Sequence, residues 1–119
     1  MKISLVCLLL VVLPGGRGSD ASGFACDLGA LTKDERAVHH RLAAALWEAV
    51  QQTRELPNGY AFRLPPASLR SAAEWVALES RCCPFFSFEL RLSGEGGPLW
   101  LHVTGAKGVK PFMRAEFGL

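Results

Sequence analysis

Glu79-Ser80-Arg81-Cys82-Cys83-Pro84-Phe85-Phe86-Ser87-Phe88-Glu89-Leu90-Arg91-Leu92 changes its hydrophobic period halfway along. Upstream, Leu69, Ala72, Ala73, Val76 and Ala77 share one face at helical spacing, which predicts a helix from about Ala67 to Arg81. Downstream, Phe86, Phe88, Leu90 and Leu92 alternate with Ser87, Glu89 and Arg91, the period of a strand with one buried face. Pro84 stands at the join. It blocks continuation of the helix and pushes Cys83 out of the helical region toward extended backbone. The chain therefore passes from helix to strand across two adjacent cysteines.

On the N-terminal side, Thr32-Lys33-Asp34-Glu35 reads as a capping box, with Thr32 accepting from the Glu35 amide and Glu35 reaching back. Asp34 and Glu35 also complement the positive end of the helix dipole. Val38, Leu42, Ala45, Leu46, Ala49 and Val50 follow at helical spacing, predicting roughly twenty residues of helix that end before Pro57-Asn58-Gly59. Tyr60, Phe62 and Leu64 alternate with Ala61 and Arg63 as a short strand, stopped by Pro65-Pro66. On the C-terminal side, the loop Ser93-Gly94-Glu95-Gly96-Gly97-Pro98 leads into Leu99, Leu101 and Val103, which alternate with Trp100, His102 and Thr104 as the second strand of a hairpin. A last short helix carries Val109, Phe112 and Met113. The predicted order is helix, strand, helix, strand, strand, helix: an α+β domain whose three-stranded sheet is covered by helices on one side.

With 119 residues, half of them hydrophobic and 20% charged, the chain has material for one small packed domain and is unlike a disordered segment. Its net charge is +2 and its basic residues are scattered without aromatic interleaving, which argues against nucleic-acid binding. Residues 1–21 read as a signal peptide: Lys2, then the apolar run Ile3 to Leu13, then Pro14-Gly15-Gly16, with Ser19-Asp20-Ala21 offering small residues at a cleavage site. The run is too short for a ~20-residue membrane span. Residues 22–119 then form a single exported, periplasmic domain with no stable membrane span after cleavage. The alternative is a mis-called start codon and a cytoplasmic protein beginning near Gly23. Cys7 would leave with the signal, and Val6 before it does not fit a lipobox.

Cleavage leaves Cys26, Cys82 and Cys83, an odd number that suits a disulfide scaffold poorly. Three thiols suit a trigonal metal site, or one disulfide plus one reactive thiol. Glu79 lies three and four residues before the cysteine pair, so its carboxylate covers the same helical face. Soft thiolates select Hg(II), As(III), Cu(I) or Zn(II), which makes Cys26, Cys82, Cys83 and Glu79 the candidate ligands of a soft metal ion or metalloid. Nucleophilic redox chemistry meets an objection, because a helix C-terminus and Glu79 both disfavour a thiolate and Arg81 alone opposes them. A bound cation reverses that logic by deprotonating its own ligands. His39 and His40 point ~100° apart on their helix, so at most one faces a given site, and both read first as solvated positions. His102 alternates with core residues and faces away from them. Trp47, Trp75 and Trp100 read as packing or amphipathic cover.

The motif Glu79-x-x-Cys82-Cys83-Pro84-Phe85 resembles that of a family of small, largely uncharacterised bacterial proteins. The similarity extends to Cys26, to Gly59-Tyr60-Ala61-Phe62-Arg63 and to Leu101-His102-Val103-Thr104-Gly105, and covers Cys26 to Met113. It implies a loose association with heavy-metal resistance and no particular activity. Three functions are compatible with the chain. The first is soft-metal or metalloid binding through the three cysteine thiolates, for sequestration or resistance. The second is a thiol-dependent reductase or lyase acting on a small substrate. The third is an interaction module whose cysteines are merely buried.

Overall fold

The computed structural model describes residues 24–119. The signal-peptide reading of residues 1–21, with Cys7 inside it, lies outside the described residues. The elements are α1 (Lys33–Ala49), β1 (Gln52–Leu56), β2 (Gly59–Leu64), α2 (Leu69–Cys82), β3 (Phe86–Leu92), β4 (Leu99–Gly105) and α3 (Val109–Phe117), with short 3-10 turns at Leu28–Ala30 and Pro66–Ser68. The fold is α+β, and its sheet has four antiparallel strands in the order β1-β2-β4-β3 rather than three.

The additional strand is β1. The predicted helix stops at Ala49, and Gln52-Thr53-Arg54-Glu55-Leu56 turns back through Pro57-Asn58 to pair with β2, Gln52 opposite Arg63 and Leu56 opposite Gly59. This strand is exposed along nearly its whole length, so its side chains show no buried alternation for a period argument to detect. As an edge strand it carries charge and polarity, which discourages pairing with other chains. Gly59 is required where β2 meets β4, because a Cβ there would overlap the Val103 carbonyl oxygen.

The capping box forms as the sequence predicts: Thr32 Oγ1 accepts from the Glu35 amide at 3.1 Å, and Glu35 Oε1 accepts from the Thr32 amide at 3.0 Å. Cys83 has left the helix, at φ −126° and ψ 68°, in keeping with the proline after it. Tyr60, Phe62, Leu64, Leu99, Leu101, Val103 and Phe86 form the buried inner face of the sheet, and the helices pack against it. The outer face carries Trp100, with the Arg54 guanidinium 4.4 Å from its ring centroid, and the half-buried His102, which faces away from the core as predicted.

α2 buries a different face from the predicted one. Ala72, Trp75, Glu79 and Cys82 point inward, whereas Ala73 and Ala77 are exposed. The largest side chain sets the rotation: Trp75, 1% exposed, meets Trp47, Phe88 and Phe117 at edge-on angles. Burying an indole removes far more apolar area from water than burying two alanines. With Trp75 inside, the helical repeat carries Glu79 and Cys82 inside as well.

Candidate metal and thiol centre

The last turn of α2 brings the double cysteine to its place. The Cys83 amide donates to the Glu79 carbonyl at 2.7 Å, closing the helix. The Cys82 carbonyl, one of the groups a helix C-terminus leaves without an intrahelical donor, accepts from the Asp27 amide at 2.7 Å. That bond ties the segment before α1 to the end of α2. Asp27 Oδ1 in turn accepts from the Gly29 amide and starts the 3-10 turn, while Arg81 Nη2 donates to the Ala30 carbonyl at 2.9 Å. Phe24 packs edge-on against Phe85, ring centroids 5.2 Å apart. Together these contacts make a strap that carries Cys26 over the cluster.

Cys26 and Cys83 form a disulfide across 57 residues, with Cα atoms 4.8 Å apart. Cys82 is a buried thiol outside the disulfide, its sulfur 3.8 Å from that of Cys83. Of the two arrangements open to three cysteines, this structure holds one disulfide plus one thiol. The ligand atoms of Cys26, Glu79, Cys82 and Cys83 nevertheless all lie within 4.8 Å of one another, a group that can hold a metal ion. Two thiolates sharing one ion at about 2.3 Å stand roughly 3.8–4 Å apart, so the spacing of Cys82 and Cys83 already suits one ion.

Glu79 is 1% exposed and pairs with a residue the sequence reading treated as solvated. His39, 4% exposed, puts Nε2 on Glu79 Oε2, and it also hydrogen-bonds Cys82. Burial acts to lower the His39 pKa, but hydrogen bonds to Cys82 and Glu79 and their negative charge outweigh it and push it up to about 9. His40 is exposed, so one histidine of the pair faces the site and the other faces water. The signal for His39 was its spacing: it stands three residues before Leu42 and seven before Leu46, on the buried stripe of α1. An imidazolium there also weakens the electrostatic objection to a thiolate at Cys82, since Arg81 is no longer the sole cation near it.

A further carboxylate comes from α3, where Glu116 Oε1 lies 3.4 Å from Cys26 Sγ. Cys26 itself is half-buried, whereas Cys82 and Cys83 are both 0% exposed. The site thus draws on α1, α2, α3 and the strap, with its access at the Cys26 side. Among the described residues no helix is long and apolar enough to cross a membrane. Compared with protein-family models, with curated proteins and with solved structures, the chain matches none.

Proposed function

We propose that the reduced protein binds one soft metal ion or metalloid, with Cys26, Cys82 and Cys83 as thiolate ligands and Glu79 as auxiliary ligand or proton acceptor. The observation that carries this reading is the convergence of those four donor atoms within 4.8 Å, three of the four residues being fully buried. Three sulfurs favour Hg(II), As(III), Cu(I) or Zn(II) over hard cations. Sequestration or resistance is the role that fits such a site, in line with the family resemblance. The disulfide supports export, because such bonds persist in oxidising compartments.

Native mass spectrometry of the reduced protein with Hg(II), Zn(II), Cu(I) or arsenite tests the reading. One ion per chain is expected, and replacing any one of the three cysteines by serine should weaken binding by orders of magnitude. Wild-type binding in all three serine variants would remove the trigonal site. A second reading, thiol-dependent redox chemistry on a small substrate, draws support from the disulfide and from the His39–Glu79 pair beside Cys82. Turnover of a small disulfide or other electrophile by the reduced protein, lost in Cys82→Ser or Cys83→Ser, would favour it over sequestration.

A further inference from the structure

In the disulfide state two of the three candidate thiolate ligands are bonded to each other, so the ion site exists only after that bond opens. The arrangement of sulfurs says where opening begins. Disulfide exchange requires the attacking sulfur to approach along the S–S axis. Were Cys82 placed in line to attack Cys83, its sulfur would stand roughly 6 Å from that of Cys26. The three sulfurs instead lie within 4.8 Å of one another, so Cys82 flanks the bond from the side. Cys82 is therefore not the nucleophile in this arrangement. Cys83 is closed to an outside attacker by complete burial, whereas Cys26 is half-buried, which makes it the more accessible residue of the disulfide.

We propose that Cys26 is the entry point of a thiol-exchange site, at which a small uncharged or cationic thiol opens the Cys26–Cys83 disulfide and converts the cluster to its ion-binding form. The incoming thiolate bonds to Cys26 Sγ while the Cys26–Cys83 bond breaks, and the electron pair leaves on Cys83. Cys82 Sγ lies 3.8 Å from the sulfur on which that charge forms. A second equivalent of the external thiol attacks the external sulfur of the mixed disulfide, and Cys26 departs as thiolate. Two external thiols are oxidised to one disulfide, the protein disulfide is reduced by two electrons, and the thiols' protons finish on Cys26 and Cys83. Substrate charge follows from Glu116, whose carboxylate beside Cys26 repels a thiol that carries a second negative charge. Once Cys26 is released, the strap has lost its covalent anchor and can admit an ion. It keeps only non-covalent anchors, among them the Asp27–Cys82 and Arg81–Ala30 bonds and the packing of Phe24 on Phe85. The opening chemistry stands on the sulfur geometry, and its consequence rests on the soft-ion reading.

The test treats the native oxidised protein with limiting 2-mercaptoethanol, quenches with acid, alkylates, and maps the modified peptides by mass spectrometry. The external thiol should appear on Cys26 and the alkyl group on Cys83, in excess of the reverse by more than about tenfold. Adducts on Cys82 or Cys83 instead would overturn the entry site. Cys82→Ala, checked for the intact disulfide, should still open at Cys26, and a folded variant that no longer opens would make Cys82 the nucleophile. Anionic mercaptoethanesulfonate should react more slowly than 2-mercaptoethanol, and Glu116→Gln should narrow the gap; equal rates in wild type would overturn the assigned thiol class. Ion titration of the opened protein separates the two readings. If opening occurs at Cys26 and none of Hg(II), Zn(II), Cu(I) and arsenite binds, the ion reading fails and the entry site stands. If protein reduced under denaturing conditions and refolded binds an ion while native protein does not open at Cys26, the entry site fails alone.

Discussion

α1 and α2 are joined twice by an acid and a base, once at the surface and once in the core. At the surface Glu35 pairs with Arg81; one turn further along α1, His39 pairs with Glu79. The roles are exchanged between the helices, since α1 supplies the acid outside and the base inside. The surroundings differ more than the chemistry. The outer pair is screened by water and ions, where such pairs contribute little to stability. The inner pair has lost its hydration, and its mutual attraction must offset that loss. A hydrophobic pair of similar volume would serve a helix interface at least as well. The presence of an ionisable pair there, against Cys82 and within reach of two further sulfurs, accords with a role in the chemistry of the cluster.

The largest effect is expected from breaking the inner pair on one side only. His39→Ala leaves the Glu79 carboxylate buried without its imidazole and should cost about 3–5 kcal/mol, read as a drop in the denaturant midpoint. Replacing both, as His39→Leu with Glu79→Met, should recover most of that stability. The double variant should then fold and bind the ion more weakly than wild type, by at least the loss expected for Glu79 alone. If His39→Ala and the double variant are equally unstable, cavity formation rather than an unpaired charge governs this position.

Glu79→Gln sharpens the comparison, since it keeps the shape and removes the charge. In the reduced protein it should lower affinity for the soft ion by about 10–100-fold, the usual consequence of losing a group that orients or deprotonates a ligand. Ion titration followed by native mass spectrometry reads this directly. Unchanged affinity in a folded, reduced sample would leave the cysteines alone to carry the site.

The two pairs should also respond to pH from opposite sides. His39 is raised from 6.5 to about 9 in the folded protein, so its contribution to stability is complete below about pH 6.5 and is lost as pH rises through 9. Thermal melts of the oxidised protein from pH 6 to 10 should therefore show a decline that His39→Gln removes. A wild-type profile with the same slope as the variant would detach the decline from His39.

Much of this arrangement was legible in the chain before folding, and the parts that were not share a cause. The switch of period at Pro84 and the capping box at Thr32 follow from local chemistry, and the structure keeps them. The count of three cysteines beside Glu79 marks the cluster's members, which the fold brings together. β1 escaped because an exposed edge strand has no buried face to set a period. The spacing of Ala73 and Ala77 puts them on the predicted core face of α2 and leaves Trp75 open between packing and cover, whereas side-chain size decides the rotation and buries Trp75. Glu79 is legible from its spacing to the cysteine pair, whereas His39 reads as solvated although it stands on the buried stripe of α1, three residues before the buried Leu42. Two opposite ionisable residues on the stripes of facing helices are grounds for expecting a pair. Which two of three cysteines form the disulfide depends on the strap, whose path is set by tertiary hydrogen bonds and leaves no periodic trace.

The smallest effects belong to the outer pair, and they make the sharpest control. Glu35 is held down to about 2 chiefly by its hydrogen bond to Arg81, with the Thr32 amide adding to it. A depressed carboxyl contributes stability that is present above its unfolded value near 4.5 and lost as pH falls toward 2. The acid side of the melting profile should thus lose its Glu35 component in Glu35→Gln, with no change between pH 6 and 10. Raised salt should weaken the outer contribution and leave the inner one nearly intact. Arg81→Gln should cost more than Glu35→Gln, because Arg81 also holds the Ala30 carbonyl and with it the strap. That added cost should be greater after Cys26–Cys83 is reduced, when the strap has lost its covalent anchor. Equal penalties for Arg81→Gln in oxidised and reduced protein would mean that the Arg81–Ala30 bond contributes nothing to seating Cys26 over the cluster.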